Sequence, residues 1–232
     1  MLILGLDASA VAGSCALCDI GEGKSVLIAE SFVNTKQTHS QTLLPMVEAM
    51  MKSAEIDLKQ VELAAVTEGP GSFTGIRIGV AAVKGLAYAL DIPCVGVSTL
   101  HALAYNLVGF DGIACAVMDA RCNQFYNALF SVGKGIPERL TPDRAISCDD
   151  LAAELAQYEN KRIILVGDGA ELAFKLLKGV KTELAPLAVR FQKAENVCLA
   201  SVEYKQTSAR ELLPVYLRLP QAERERLARL NT

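Results

Sequence analysis

A chain of 232 residues with 51% hydrophobic content is long enough to bury a sizeable core, as one large domain or two lobes. Its net charge of −3 and pI near 5.5 leave no excess of Lys and Arg for neutralising phosphates, which excludes nucleic-acid binding by electrostatics alone. The seven cysteines are odd in number and sit mostly in apolar runs, the pattern of buried thiols in a reducing compartment.

The opening MLILGLDAS has no basic region, and its apolar run is too short for a signal peptide or a membrane span; the expected location is the cytoplasm. LILGLDAS, GSCALCDI and KSVLIAESFV alternate with Gly-bearing turns and predict an antiparallel meander of three strands. Cys15 and Cys18 form a CxxC, but strand alternation sends their side chains to opposite faces. A helix over Gln41–Glu55 follows, with Leu43, Val47, Met50 and Ala54 at helical spacing and Leu44, Met46 and Met51 widening the apolar arc. Pro45 must lie in its first turn or kink it. VELAAVT reads as a buried strand, Phe73–Leu90 as a second helix, PCVGV as a strand and Thr99–Leu107 as a third helix.

The second half repeats the opening more weakly. GIACAVMDAR and FYNALFSV are strands, DDLAAELAQY a helix, RIILVGDG a strand and AELAFKLL a helix. Each half begins with strands carrying an early aspartate, Asp7 and Asp119. The chain is expected to end in helices, from AENVCLASVEYKQ through ELLPVYLRLPQAERERLARL. The expected division is residues 1–108 and 109–232, the last helix packing back on the first lobe.

The turn Gly69-Pro-Gly71-Ser-Phe-Thr-Gly75 lies between a strand and a helix, where backbone N–H groups can hold an anion. Its GxGxxxG spacing departs from GxGxxG, and no GK[ST] closes it. Turn formation by Gly and Pro, with Ser72 capping the helix, accounts for the residues more simply. On a wheel, Gly75, Gly79, Ala82, Val83, Leu86 and Leu90 make a core side. The opposite stripe of Phe73, Arg77, Val80, Ala81, Lys84 and Tyr88 mixes aromatic, apolar and basic groups as interface anchors do. Leu43 and the methionines 46, 50 and 51 suit either a contact surface or ordinary core packing. Candidate nucleotide residues are Asp7, Ser9, Gly69, Gly71, Ser72, Gly167 and Gly169. The second hairpin offers Ala120 and Arg121 where a phosphate turn wants glycine. His39 and His101 stand on separate segments, which disfavours a metal site or a His-based triad.

The segments LDASAVAGSCALCD, HSQTLLPMVE, EGPGSFTGIRIGVAAVKGLAYALDIPCVGVSTL, DARCNQFYNALF, GDGA and PVYLRLPQAE resemble the bacterial TsaB (YeaZ) family from end to end. The resemblance implies a two-lobed actin/hexokinase-like α/β fold, each lobe a mixed sheet flanked by helices. It also implies a role in making threonylcarbamoyladenosine at position 37 of tRNAs reading A-starting codons. In that pathway TsaD is the transferase, TsaE an ATPase, and a TsaB-like chain a non-catalytic platform. The family's pairing helices correspond to those after HSQTLLP and GPGSFTG, meeting either TsaD or a second copy. The HxxxH metal pair of TsaD corresponds here to Thr99 and Leu103, so no metal is expected. ATP or ADP is expected, if anywhere, at the junction with TsaD, and tRNA only through the complex. The rival readings are a nucleotide-dependent enzyme in its own right and a metallopeptidase.

Overall fold

The computed structural model describes residues 1–35 and 37–218. The first sheet opens with β1 (Leu2–Asp7), β2 (Ala12–Gly21) and β3 (Lys24–Asn34), the antiparallel meander expected. After α1 (His39–Ser53), β4 (Leu63–Gly69) pairs parallel to β1. After α2 (Phe73–Leu90), β5 (Cys94–Ser98) pairs parallel to β4, giving the order β3-β2-β1-β4-β5. Helix α3 (Thr99–Tyr105) then leads to the second sheet.

That sheet repeats the plan. β6 (Gly112–Asp119) and β7 (Gln124–Val132) are antiparallel, and β8 (Glu138–Arg139) and β9 (Arg144–Ser147) both pair with β7. After α4 (Cys148–Leu155), β10 (Ile163–Val166) joins β6 in parallel. After α5 (Ala170–Leu176), β11 (Glu183–Leu184) joins β10 in parallel. Two mixed sheets of matching strand order, each flanked by helices, are the two-lobed actin/hexokinase-like arrangement.

The layers follow from which faces are apolar. Leu4, Leu6, Cys15 and Leu17 face α1 and α2; Ile3, Ala16, Cys18 and Val95 face α6 (Ala194–Ser201) on the other side. Cys15 and Cys18 are indeed on opposite faces. Every residue of α3 is buried, because it is wedged between the sheets: Ala102 and Tyr105 pack toward the first, Leu100, Leu103 and Ala104 toward the second. The outer face of the second sheet is closed by α4 and α5.

Three expectations need correction. α1 begins two residues before the expected start, so Pro45 sits in its second turn and removes one interior N–H donor. The segment after α6 is not helical through residue 218, because Pro214 lacks an N–H and its neighbours bond elsewhere. Thr207 exchanges both backbone hydrogen bonds with Cys94, and the Val215 N–H donates to the Glu68 carbonyl at 2.7 Å. The end of the chain therefore returns to the first sheet well before the expected last helix, whose remaining residues lie outside those described. The short strands β8, β9 and β11 carry too few residues for periodicity to reveal them.

Candidate functional site

Four turns meet at the cleft between the sheets: the β1–β2 hairpin, the turn from β4 to α2, the β6–β7 hairpin and the turn from β10 to α5. The cleft encloses about 960 Å³ and is lined by Ser9, His39, Gly71, Ser72, Asp119, Arg121, Tyr126 and Asp168, with Val215, Tyr216 and Arg218 from the chain's end. Asp7 and Asp119 close equivalent strands, as the sequence repeat implied.

The glycine-rich turn is used for packing. A Cβ at Gly75 would lie 2.0 Å from the Ala8 carbonyl oxygen, one at Gly71 2.4 Å from that of Ser9, and one at Gly69 2.2 Å from that of Val215. The Ser72 N–H donates to the Ser9 carbonyl at 2.7 Å, and the Ser72 hydroxyl accepts from the Gly75 N–H, capping α2. The first hairpin is thus pressed against the start of α2. Ser9 spends both its N–H and its hydroxyl on Asp7 Oδ1, each at 2.8 Å. Gly167 and Gly169 are filled in the same way, by the backbone of Val117 and Met118. These glycines let hairpin and helix start approach closely, which accounts for them without a ligand.

The carboxylates differ in setting. Asp7 is buried, and burial pushes its carboxyl up, opposed by the Ser9 N–H and hydroxyl and by nearby His39. His39 begins α1, and its Nε2–H donates to the Ala10 carbonyl at 2.7 Å. Asp168 accepts from Gln192 at 3.1 Å; its residue opens on the cleft, but the protein packed around its carboxyl pushes it up to about 6, with Asp119 and Asp7 adding repulsion. Asp119 accepts the Arg121 N–H at 2.7 Å. In place of glycine, the second hairpin turns through Arg121, Cys122 and Asn123 with φ of 65°, 53° and 55°, a left-handed run costing on the order of 1 kcal/mol per residue.

Thr99 and Leu103 are buried, and Leu103 lies in the apolar core against the turn at Gly167. His101 stacks on Phe130 and its Nδ1 is 2.9 Å from the Tyr204 hydroxyl, away from the cleft lining. Among the described residues, no group of three or more His, Cys, Asp or Glu side chains is placed to hold a metal ion.

The outward side of α2 differs from the expected stripe. Its buried residues are Gly75, Ile76, Gly79, Val80, Val83 and Ala87, so the core side is rotated by roughly 50° from the expected one at 100° per residue. Val80 is therefore core and cannot meet a partner. Leu43, Met46, Met50 and Met51 are core as well: they pack with Leu4, Leu6, Cys15 and Leu17, and the Cys15 thiol approaches the Met50 sulfur at 3.7 Å. On α1 it is Leu44, 49% exposed, that faces out.

Phe73, Arg77 and Lys84 are occupied by the chain's own residues 207–218, a strap along one side of α2. Lys84 Nζ donates to the carbonyls of Arg210 and Leu212 at 3.3 and 2.9 Å. Arg77 donates to the Tyr216 hydroxyl at 2.7 Å with its guanidinium 3.8 Å from the Phe73 ring, and the rings of Phe73 and Tyr216 are 4.7 Å apart. Arg218 extends the strap to the second lobe, donating to the Ala120 carbonyl at 2.6 Å. The strap went unseen in the sequence because PVYLRLP has no period; its Tyr and Arg between prolines were the only signal.

Apart from Arg77, which stays exposed while bonded to the strap, what remains open on α2 is the arc of Thr74, Ala81, Gly85, Tyr88 and Ala89, with Ile78 and Ala82 half-buried. Tyr88 is 85% exposed. The helix has the length and apolar composition of a membrane span, yet it is seated on the first sheet through its six buried residues.

The matching lobes and their cleft define an α/β protein of the actin/hexokinase-like class. The family model described as TsaD, tRNA N6-adenosine threonylcarbamoyltransferase, matches residues 28–228. A tRNA threonylcarbamoyladenosine biosynthesis protein TsaB from Bacillus subtilis is 30% identical over 96% of this chain and 96% of its own. Its namesake from Haemophilus influenzae is 31% identical over 94% of each. The solved structure of YeaZ from Pseudomonas aeruginosa superposes with a TM-score of 0.78 at 26% identity, covering 93% of this chain and 99% of that one. The chain belongs to the TsaB (YeaZ) family of threonylcarbamoyladenosine biosynthesis.

Proposed function

We propose that this chain is a non-catalytic subunit that docks TsaD through α2 and, with TsaE, supports threonylcarbamoyl transfer to adenosine 37 of tRNAs reading A-starting codons. The observation that carries this reading is the outer arc of α2. An 18-residue apolar helix fully buries six residues, packs Ile78, Ala82 and Leu86 partly against the core, and presents Ala81, Gly85, Ala89 and the exposed Tyr88 to solvent. Small side chains let a second helix approach closely, and an exposed aromatic at the rim suits an anchor. The same arc would pair two copies of the chain when TsaD is absent. tRNA is reached through the complex, in the cytoplasm, and ATP or ADP, if it binds, belongs at the junction with TsaD. Ala81→Arg tests the reading: the variant should fold, melt near the parent temperature and no longer co-purify with TsaD. Co-purification at the parent level would remove α2 as the docking element.

A further inference from the structure

The strap meets α2 at the two cations that border its open arc. At about 100° per residue, Phe73, Lys84 and Arg77 fall along one edge of the arc, between the core side and Ala81. Left free, a Lys and an Arg at that edge would reach over the small residues with their long stems, and docking an apolar helix there would require their desolvation. Both cations are instead turned aside. The Lys84 ammonium is held by two strap carbonyls, and the Arg77 guanidinium lies over Phe73 with its Nε–H on the Tyr216 hydroxyl.

The strap is itself firmly seated. Leu212 is buried in the core with α1 and α2, Thr207 is paired to Cys94, and Val215 is bonded to Glu68. At its far end Arg218 bonds the second-lobe hairpin, so the strap touches both lobes and the helix.

We propose that the strap is a clasp that holds Arg77 and Lys84 off the open arc of α2 and so makes that arc fit for an apolar partner helix. This inference rests on the reading of α2 as the docking helix. Tyr216 is then a positioning residue: it acts through Arg77 and need not touch the partner.

The test is a calorimetric titration of the purified chain with TsaD. Ala81→Arg, which blocks the arc directly, should abolish binding. Tyr216→Ala, which frees Arg77, should raise the Kd at least tenfold, while Tyr216→Phe, which keeps the ring stack and loses the hydroxyl, should fall between it and the parent. Adding Arg77→Met to Tyr216→Ala should restore the Kd to within threefold of the parent, because the released cation is gone. A purely structural role for Tyr216 would not allow that rescue. If Ala81→Arg abolishes binding but Tyr216→Ala binds as the parent does, or the double variant binds no better than Tyr216→Ala, the clasp is wrong and the docking reading stands. If Ala81→Arg binds as the parent does, the docking reading itself fails.

Discussion

Gly75→Ala separates packing from phosphate binding at the turn before α2. Its Cβ would sit 2.0 Å from the carbonyl oxygen of Ala8 and 3.3 Å from the His39 ring. The first obstacle is backbone in a hairpin between two central strands, and it can yield only if α2 lifts from the sheet. Overpacking of this kind costs about 3 kcal/mol or more. In a chain of this size each kcal/mol is worth roughly 2–4 °C, so the melting midpoint should fall by roughly 6–12 °C. Gly85→Ala is the control. Nothing lies within 4 Å of its added Cβ, and replacing a helix-interior glycine gains about 0.5–1 kcal/mol, so that variant should melt slightly higher. Scanning calorimetry of parent and variants decides the matter. A Gly75→Ala chain that melts with the parent but loses nucleotide-dependent stabilisation would refute the packing account and reinstate the phosphate cradle.

The chain alone should hydrolyse ATP no faster than buffer, measured as phosphate release; a rate above buffer that disappears in Asp7→Asn would revive an enzyme reading. Untagged protein should contain no stoichiometric iron or zinc by elemental analysis and should melt unchanged with chelator, since Thr99 and Leu103 offer no ligand pair. For Asp168 the folded carboxyl titrates above its ordinary value, at about 6, so its contribution is present below the usual carboxylate range and lost as pH rises through about 6. Asp168→Asn should therefore stabilise the chain above pH 6, by no more than about 1 kcal/mol given cleft water, and leave it unchanged at pH 4. A stabilisation that is equal at both pH values would contradict that sign.

The repeat of strands and helices was legible because central strands are continuous apolar runs and both halves close a strand with an aspartate. The Ser72 cap and the start of α2 were legible too, since turn and capping residues act locally. What failed was partner assignment. A wheel shows that α2 has faces, but where the sheet contacts it depends on tertiary seating, so Val80 was placed outside while it is core. The methionines of α1 face the first sheet, which no local pattern distinguishes from an external partner. Arg77 and Lys84 have the right residue types for an interface, and they do form one, with residues 126 to 139 positions further along the same chain. Contacts of that separation leave no periodic trace.

The central claim is that this chain supports catalysis by another subunit through the open arc of α2. Threonylcarbamoyladenosine formation in a reconstituted mixture of this chain, TsaD, TsaE, tRNA, ATP and the threonylcarbamoyl donor tests it most directly. Product should form with the parent chain, fall to the level of the mixture lacking this chain with Ala81→Arg, and be absent when TsaD is omitted. Full product with Ala81→Arg, or product from this chain without TsaD, would contradict the account.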